Sequence, residues 1–171
     1  MTAYVALLRA VNVSGTGKLP MAELRRMGEA CGFSAVRTHI ASGNLLLDSD
    51  LPEAEIVARL EQQLDGFFGR RVPLFVRSAA EICAIADSNP FPDEPGNRNL
   101  VIFLADPPPP DFMAAVRFHN GERIAPGTRE ISVAYGDGIA TSKLVIPAAK
   151  AGTARNRNTV ARLAALLEEH A

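Results

Sequence analysis

The period of the hydrophobic pattern changes from strand-like to helix-like and back within the first 77 residues, and no other feature narrows the fold so far. Ala3 to Arg9 is a short apolar run that ends in a polar loop, as a strand does. Met21, Leu24, Met27 and Cys31 recur at helical spacing behind Pro20, and Gly32 stops them. Val36-Arg37-Thr38-His39-Ile40 alternates like a half-buried strand, and Ser42-Gly43-Asn44 turns it back into Leu45 to Asp48, which predicts a hairpin. A second helix opens at Asp50 and Pro52, carries Ile56, Leu60, Leu64 and Phe67 on one face, and ends at Gly69. Val72 to Val76 is the last strand, and Pro73, with no N–H to donate, places it at a sheet edge.

This β-α-β-β-α-β order predicts an α+β fold whose first subdomain is a ferredoxin-like plait. Right-handed crossovers make the first two strands parallel and insert the third antiparallel between them. The loop of residues 10–19, the Ser42-Gly43-Asn44 turn and the approach to the fourth strand then share one sheet edge, where Asn12, Lys18, Ser42, Asn44, Arg70 and Arg71 should converge. Beyond residue 78 the reading is less regular: a helix from Ser78 to Ser88, a breaker at Asn89-Pro90-Phe91-Pro92, and a strand from Asn99 to Ala105. Prolines 107–110 lead stiffly into a predicted helix ending near His119. Glu130 to Tyr135 and Gly138 to Ser142 are expected to form a hairpin through Asp137-Gly138, and Asn156 to His170 a closing helix. The sequence thus predicts a first subdomain with its connecting helix over 1–88, and a second, incomplete or modified plait over 89–171.

A formal net charge of −1 makes any anion binding local, and it argues against nucleic acid, as does a sheet face offering only Phe75 for stacking. The chain shows no signal peptide and no apolar run long enough to span a bilayer, which places it in the cytoplasm away from membranes. Cys31 and Cys83 sit at apolar helical positions and are expected to be reduced core residues. His39, His119 and His170 are too scattered for metal-ligand spacing, and neither a metal nor a cofactor is expected. Ser14-Gly15-Thr16-Gly17-Lys18 fails the phosphate-loop pattern at Asn12 and Leu19, leaving at most an anion-binding loop between a strand and a helix N-terminus. Gly138 to Leu167 contains no acidic residue but carries Lys143, Lys150, Arg155, Arg157 and Arg162. Arginines at the predicted start of the last helix would be favoured there by an anion held between them.

Leu7-Leu8-Arg9, Asn12-Val13, Gly15, Lys18, the Met21-Ala-Glu-Leu-Arg helix start, Val36-Arg-Thr and Ser42-Gly-Asn resemble the opening of bacterial domain-of-unknown-function family 1697. Asn89-Pro-Phe, Gly138-Ile with Ser142-Lys-Leu, and Thr153-x-Arg-Asn-x-Asn-Thr are similar to its later signatures, in the same order. The resemblance implies two plait-like subdomains in a small cytoplasmic bacterial protein and brings no activity with it. Ala10 stands where the family commonly has glycine, and Arg157 where it usually has tryptophan.

Three functions follow. The first is a module binding a phosphorylated or carboxylated small molecule, or a nucleotide, with Arg9, Asn12, Lys18, Ser42 and Asn44 on one wall of a polar cleft. Ser142, Lys143, Arg155, Asn156 and Asn158 would form the other wall. The second is a structural or protein-interaction module in which these cations pair with acidic residues across the subdomains. The third is an enzyme acting on a phosphorylated metabolite through Lys18 or Lys143, for which no catalytic constellation is apparent. Oligomeric state is not encoded in any pattern of the chain.

Overall fold

The computed structural model describes residues 1–13 and 17–170. It is an α+β protein whose contacts define two compact units, Met1–Ile82 with the residues from Leu163 onward, and Cys83–Arg162. The contacts divide the chain between residues 82 and 83, and the end of the last helix is grouped with the first unit.

The first unit runs β1 (Thr2–Leu8), α1 (Met21–Ala30), β2 (Ser34–Thr38), β3 (Asn44–Ser49), α2 (Glu53–Phe68) and β4 (Leu74–Ser78). Its sheet has the order β2-β3-β1-β4 with all neighbours antiparallel, so β4, the strand behind Pro73, lies at an edge. Alternation sends Ala6, Leu8, Leu45, Leu47, Leu74 and Val76 to one face, where they pack with Leu24 and Met27 of α1 and Ile56, Leu60 and Leu64 of α2. Each such fully buried side chain contributes about 1.5–3 kcal/mol. Gly69 ends α2 in the left-handed conformation (φ 68°), with its N–H on the Asp65 carbonyl. Cys31 is buried, Cys83 half-buried, and both are free thiols.

The second unit begins in α3 (Ala79–Asp87), which follows β4 without a break, and continues through β5 (Asn99–Phe103), β6 (Arg123–Pro126), β7 (Glu130–Ala134), β8 (Thr153–Asn156) and α4 (Arg157–His170). Two expectations are corrected here. The helix predicted behind the prolines is only a 3-10 turn, Phe112–Ala115, because four prolines and a following Val-Arg-Phe-His stretch leave too few residues for a helical face. The partner of β7 is β6, not residues 138–142: Gly136–Gly138 makes a 3-10 turn where a primed two-residue turn was expected. Two strands, β6 and β8, have no counterpart in the sequence reading.

With β8 in place the second sheet has the order β6-β7-β5-β8, the same as the first sheet. Registers correspond as well: Val5 faces Leu46 and Arg77 in the first sheet, Val101 faces Ser132 and Arg155 in the second. Arg77 and Arg155 are both buried, and each donates Nη1 to the carbonyl of the residue before it, Val76 at 3.0 Å and Ala154 at 2.9 Å. Each terminal strand then runs directly into a helix whose first N–H groups are capped by the next residue. Ser78 Oγ accepts from Glu81 N–H (3.2 Å), and Asn156 Oδ1 accepts from Thr159 N–H (2.9 Å). The units differ in what fills the connections. Where the first has α1 and α2, the second has the 3-10 turns Phe112–Ala115 and Pro147–Ala149.

Candidate functional site

The residues expected to bind a ligand divide between the units: Arg9, Asn12, Lys18, Ser42 and Asn44 lie in the first, Ser142, Lys143, Arg155, Asn156 and Asn158 in the second. In the first unit the three segments do share an edge. Leu8 N–H donates to the Gly43 carbonyl and Arg9 N–H to the Pro73 carbonyl, both at 2.9 Å. Asn12 fastens the 10–19 loop to the hairpin, its amide donating to the carbonyls of Leu19 (2.9 Å) and Ala41 (2.8 Å) while its Oδ1 accepts from Leu19 N–H at 2.7 Å. Asn44 is buried and donates to the His39 carbonyl and Ser42 Oγ. Both amides thus serve the local fold, and Lys18, Arg70 and Arg71 are exposed. Ser14, Gly15 and Thr16 of the expected anion loop lie outside the described residues. Ala10 has φ 56°, a left-handed backbone that costs a residue with a Cβ about 1–2 kcal/mol and glycine nothing comparable.

The Thr153–Thr159 motif is likewise built into the fold. Arg155 bonds Thr153 Oγ1 at 2.8 Å besides the Ala154 carbonyl, and burial pushes its pKa down to about 10, so it stays charged at neutral pH. Asn156 caps α4, and Asn158 packs so closely that a Cβ on Gly96 would meet its Oδ1. Arg157 donates to the carbonyls of Pro92 (3.1 Å) and Glu94 (2.8 Å) and so holds the Asn89–Arg98 loop by hydrogen bonds. Glu94, Asp93 and Arg123 complete that support: Arg123 pairs with Asp93 at 3.1 Å and lies 4.9 Å over the Phe91 ring.

Ser142 and Lys143 are different, because they open onto space. With Phe118, His119, Asn120, Glu122, Gly138 and Thr141 they line a cavity of about 440 Å³ in the second unit. At its wall Ser142 Oγ donates to Glu122 Oε2 at 2.5 Å, and Asn120 N–H donates to Glu122 Oε1 at 2.6 Å. These donors hold the Glu122 carboxyl below its usual range, with the charge of the nearby His119 adding to the effect. His119 Nε2 lies 2.5 Å from the Glu122 carbonyl, which fixes that nitrogen as the donor in the neutral ring. Lys143 is exposed and enters no ion pair among the described residues. Phe118 is 66% exposed at φ 57°, a conformation rare for so large a side chain.

Of the residues lining this cavity, Ser142 and Lys143 were expected from the sequence as ligand contacts, and Glu122, His119 and Phe118 were not. The only signal for them is tertiary: Glu122 and Ser142 are 20 residues apart, with β6 and β7 between them. No group of three or more His, Cys, Asp or Glu side chains suited to a metal occurs among the described residues. Among them, too, no helix is long and apolar enough to cross a membrane.

A chain of two antiparallel sheets in the same strand order, with a polar cavity in the second, defines a class of α+β protein built on a repeated sheet. Residues 1–131 match the family described as "Protein of unknown function (DUF1697)", and the chain belongs to that family. Its fold is similar to the structure of conserved bacterial protein SP0830 from Streptococcus pneumoniae, at 21% identity and a TM-score of 0.77, over 97% of this chain and 98% of that one. A comparison with curated proteins finds no match.

Proposed function

We propose that the protein binds a phosphorylated or carboxylated small molecule in the second-unit cavity, with Lys143 as the principal cation. The observation that carries this reading is the state of Glu122. Its charge is already satisfied by Ser142 and Asn120, so the wall needs no metal or lysine to neutralise it, and Lys143 at the rim is left to a ligand. His119, Phe118 and the Thr141 hydroxyl supply contacts to the remainder of the molecule. Binding is favoured over catalysis because a carboxylate held below its ordinary pKa is a weak base and does not activate the Ser142 hydroxyl. The repeated order β2-β3-β1-β4 and β6-β7-β5-β8 supports reading both units as ferredoxin-like plaits, the second with its helices reduced to turns.

Thermal-shift screening of phosphorylated and carboxylated metabolites tests this. A ligand at 100 times its Kd adds about 2.7 kcal/mol to stability, a displacement of several degrees. Lys143→Ala is expected to abolish the displacement while leaving the unliganded Tm within a degree or so. A hit that stabilises Lys143→Ala as well as the parent protein would overturn the assignment.

A further inference from the structure

The correspondence between the sheets draws attention to a second opening in the second unit, which shares no lining residue with the Lys143 cavity. In the first sheet Ala6, Leu8, Leu45 and Leu47 form the face that α1 and α2 cover. The same strand positions in the second sheet are Ile102, Leu104, Ile131 and Val133, and they form its apolar cluster with Phe112 and Ile146. There the covering elements are 3-10 turns of four and three residues, against helices of ten and sixteen. These turns and the segments beside them bury Leu104, Ile131 and Val133 but leave Ile102 only half-buried. What remains is a groove of about 430 Å³ with Ile102, Leu144 and Ile146 among its apolar lining and Tyr135, Arg117 and Lys150 as its polar groups.

The charges in that lining are all of one sign. Arg117 is held against the wall by a pair of backbone hydrogen bonds with Val145, each 2.9 Å, so its side chain starts from a fixed point rather than from a loose loop. Lys150 follows directly on the 3-10 turn Pro147–Ala149, its N–H bonded to the Pro147 carbonyl at 3.2 Å. Burial and the nearby Glu122 charge raise the Tyr135 phenol, so it remains a neutral hydrogen-bond donor at physiological pH. An apolar lining, two cations and a neutral donor match a molecule with an apolar body and one negative head. A second copy of this chain would bring the same two cations against themselves.

We propose that this groove is a binding site for an amphipathic carboxylate, its hydrocarbon portion on Ile102, Leu144 and Ile146 and its head at Arg117 and Lys150. This groove shares no lining residue with the Lys143 cavity, and the proposal does not rest on the binding reading given to that cavity. The test uses octanoate, octan-1-ol and acetate as probes, titrated into the isotope-labelled full chain and followed by backbone amide NMR. Octanoate should shift the signals of Ile102 and Leu144 to Lys150 saturably, at least tenfold more tightly than either octanol or acetate. Arg117→Gln with Lys150→Gln should reduce octanoate to the affinity of octanol and leave octanol unchanged; both positions are exposed, so folding is preserved. Ala149→Leu, which narrows the groove, should weaken octanoate and octanol alike. Octanol binding as tightly as octanoate, shifts that fall outside these residues, or an octanoate affinity indifferent to the double variant would each overturn the proposal. So would sedimentation showing that the groove is occupied by self-association.

Discussion

Glu122 is the residue on which the candidate site turns, and its environment makes a prediction with a definite sign. Its carboxyl lies below the ordinary value of 4.5 because Ser142 Oγ and Asn120 N–H stabilise the ionised form. A carboxyl depressed in the folded state contributes stability that is complete above its unfolded pKa and lost as pH falls through the folded one. Glu122→Gln is therefore expected to be less stable than the parent at neutral pH. The two urea-denaturation curves should converge below about pH 4.5, because the parent loses the contribution there and the variant has none to lose. Parallel curves down to strong acid would show that the Ser142 and Asn120 contacts do not favour the charged form. The buried arginines illustrate a different residue-scale lesson. Arg155 reads in sequence as one of a group of surface cations, and nothing in its neighbours Ala154 and Asn156 reveals that its guanidinium is turned into the unit and bonded to Thr153 and the Ala154 carbonyl.

At the scale of elements, the first unit was legible because its signals are local. Apolar residues alternate or recur at helical spacing, Pro20 and Pro52 precede the helices, and Gly69 follows one. Topology then brought the 10–19 loop beside the hairpin without any need for side-chain detail. Gly43 sits at that junction, with φ 89° and no room for a Cβ, which would lie 2.6 Å from Val11 Cγ2 and 2.9 Å from Leu8 Cβ. Gly43→Ala should cost about 1–3 kcal/mol from backbone strain alone, with the clash adding to it. Equilibrium denaturation checks this, and a loss below about 0.5 kcal/mol would mean that the turn can open. The second unit was less legible for physical reasons of the same kind. Strand β8 is Thr-Ala-Arg-Asn, with a buried arginine in the place of an apolar residue, so its alternation is hidden. Strand β6, Arg-Ile-Ala-Pro, is short and ends in a residue that cannot donate to a ladder, so the hairpin signal fell on the glycines of the next turn instead. Ser142 and Lys143 were noticed for their charge and company, whereas His119 and Glu122 join them only once the connection from β5 to β6 is folded.

Across the whole molecule one sheet plan is used twice, and the difference between the two uses accounts for where ligands can go. In the first unit α1 and α2 bury a full sheet face, and the polar motif residues at its edge, Asn12 and Asn44, fasten loops together. In the second the helices have shrunk to turns, and the long connections that replace them frame the cavity at Ser142 and Lys143. The polar segments of the second unit therefore divide in two: Asn89-Pro90-Phe91 and Thr153–Thr159 build the unit, and Ser142-Lys143 lines the cavity. The measurement that bears most directly on this account is an amide NMR titration of the full chain with ribose 5-phosphate and, separately, citrate. The account predicts saturable shifts at residues 118–122 and 138–143 with at least one of them, lost in Lys143→Ala and unchanged in Lys18→Ala. Shifts that follow Lys18 instead, or none in the 138–143 segment with either compound, would contradict it.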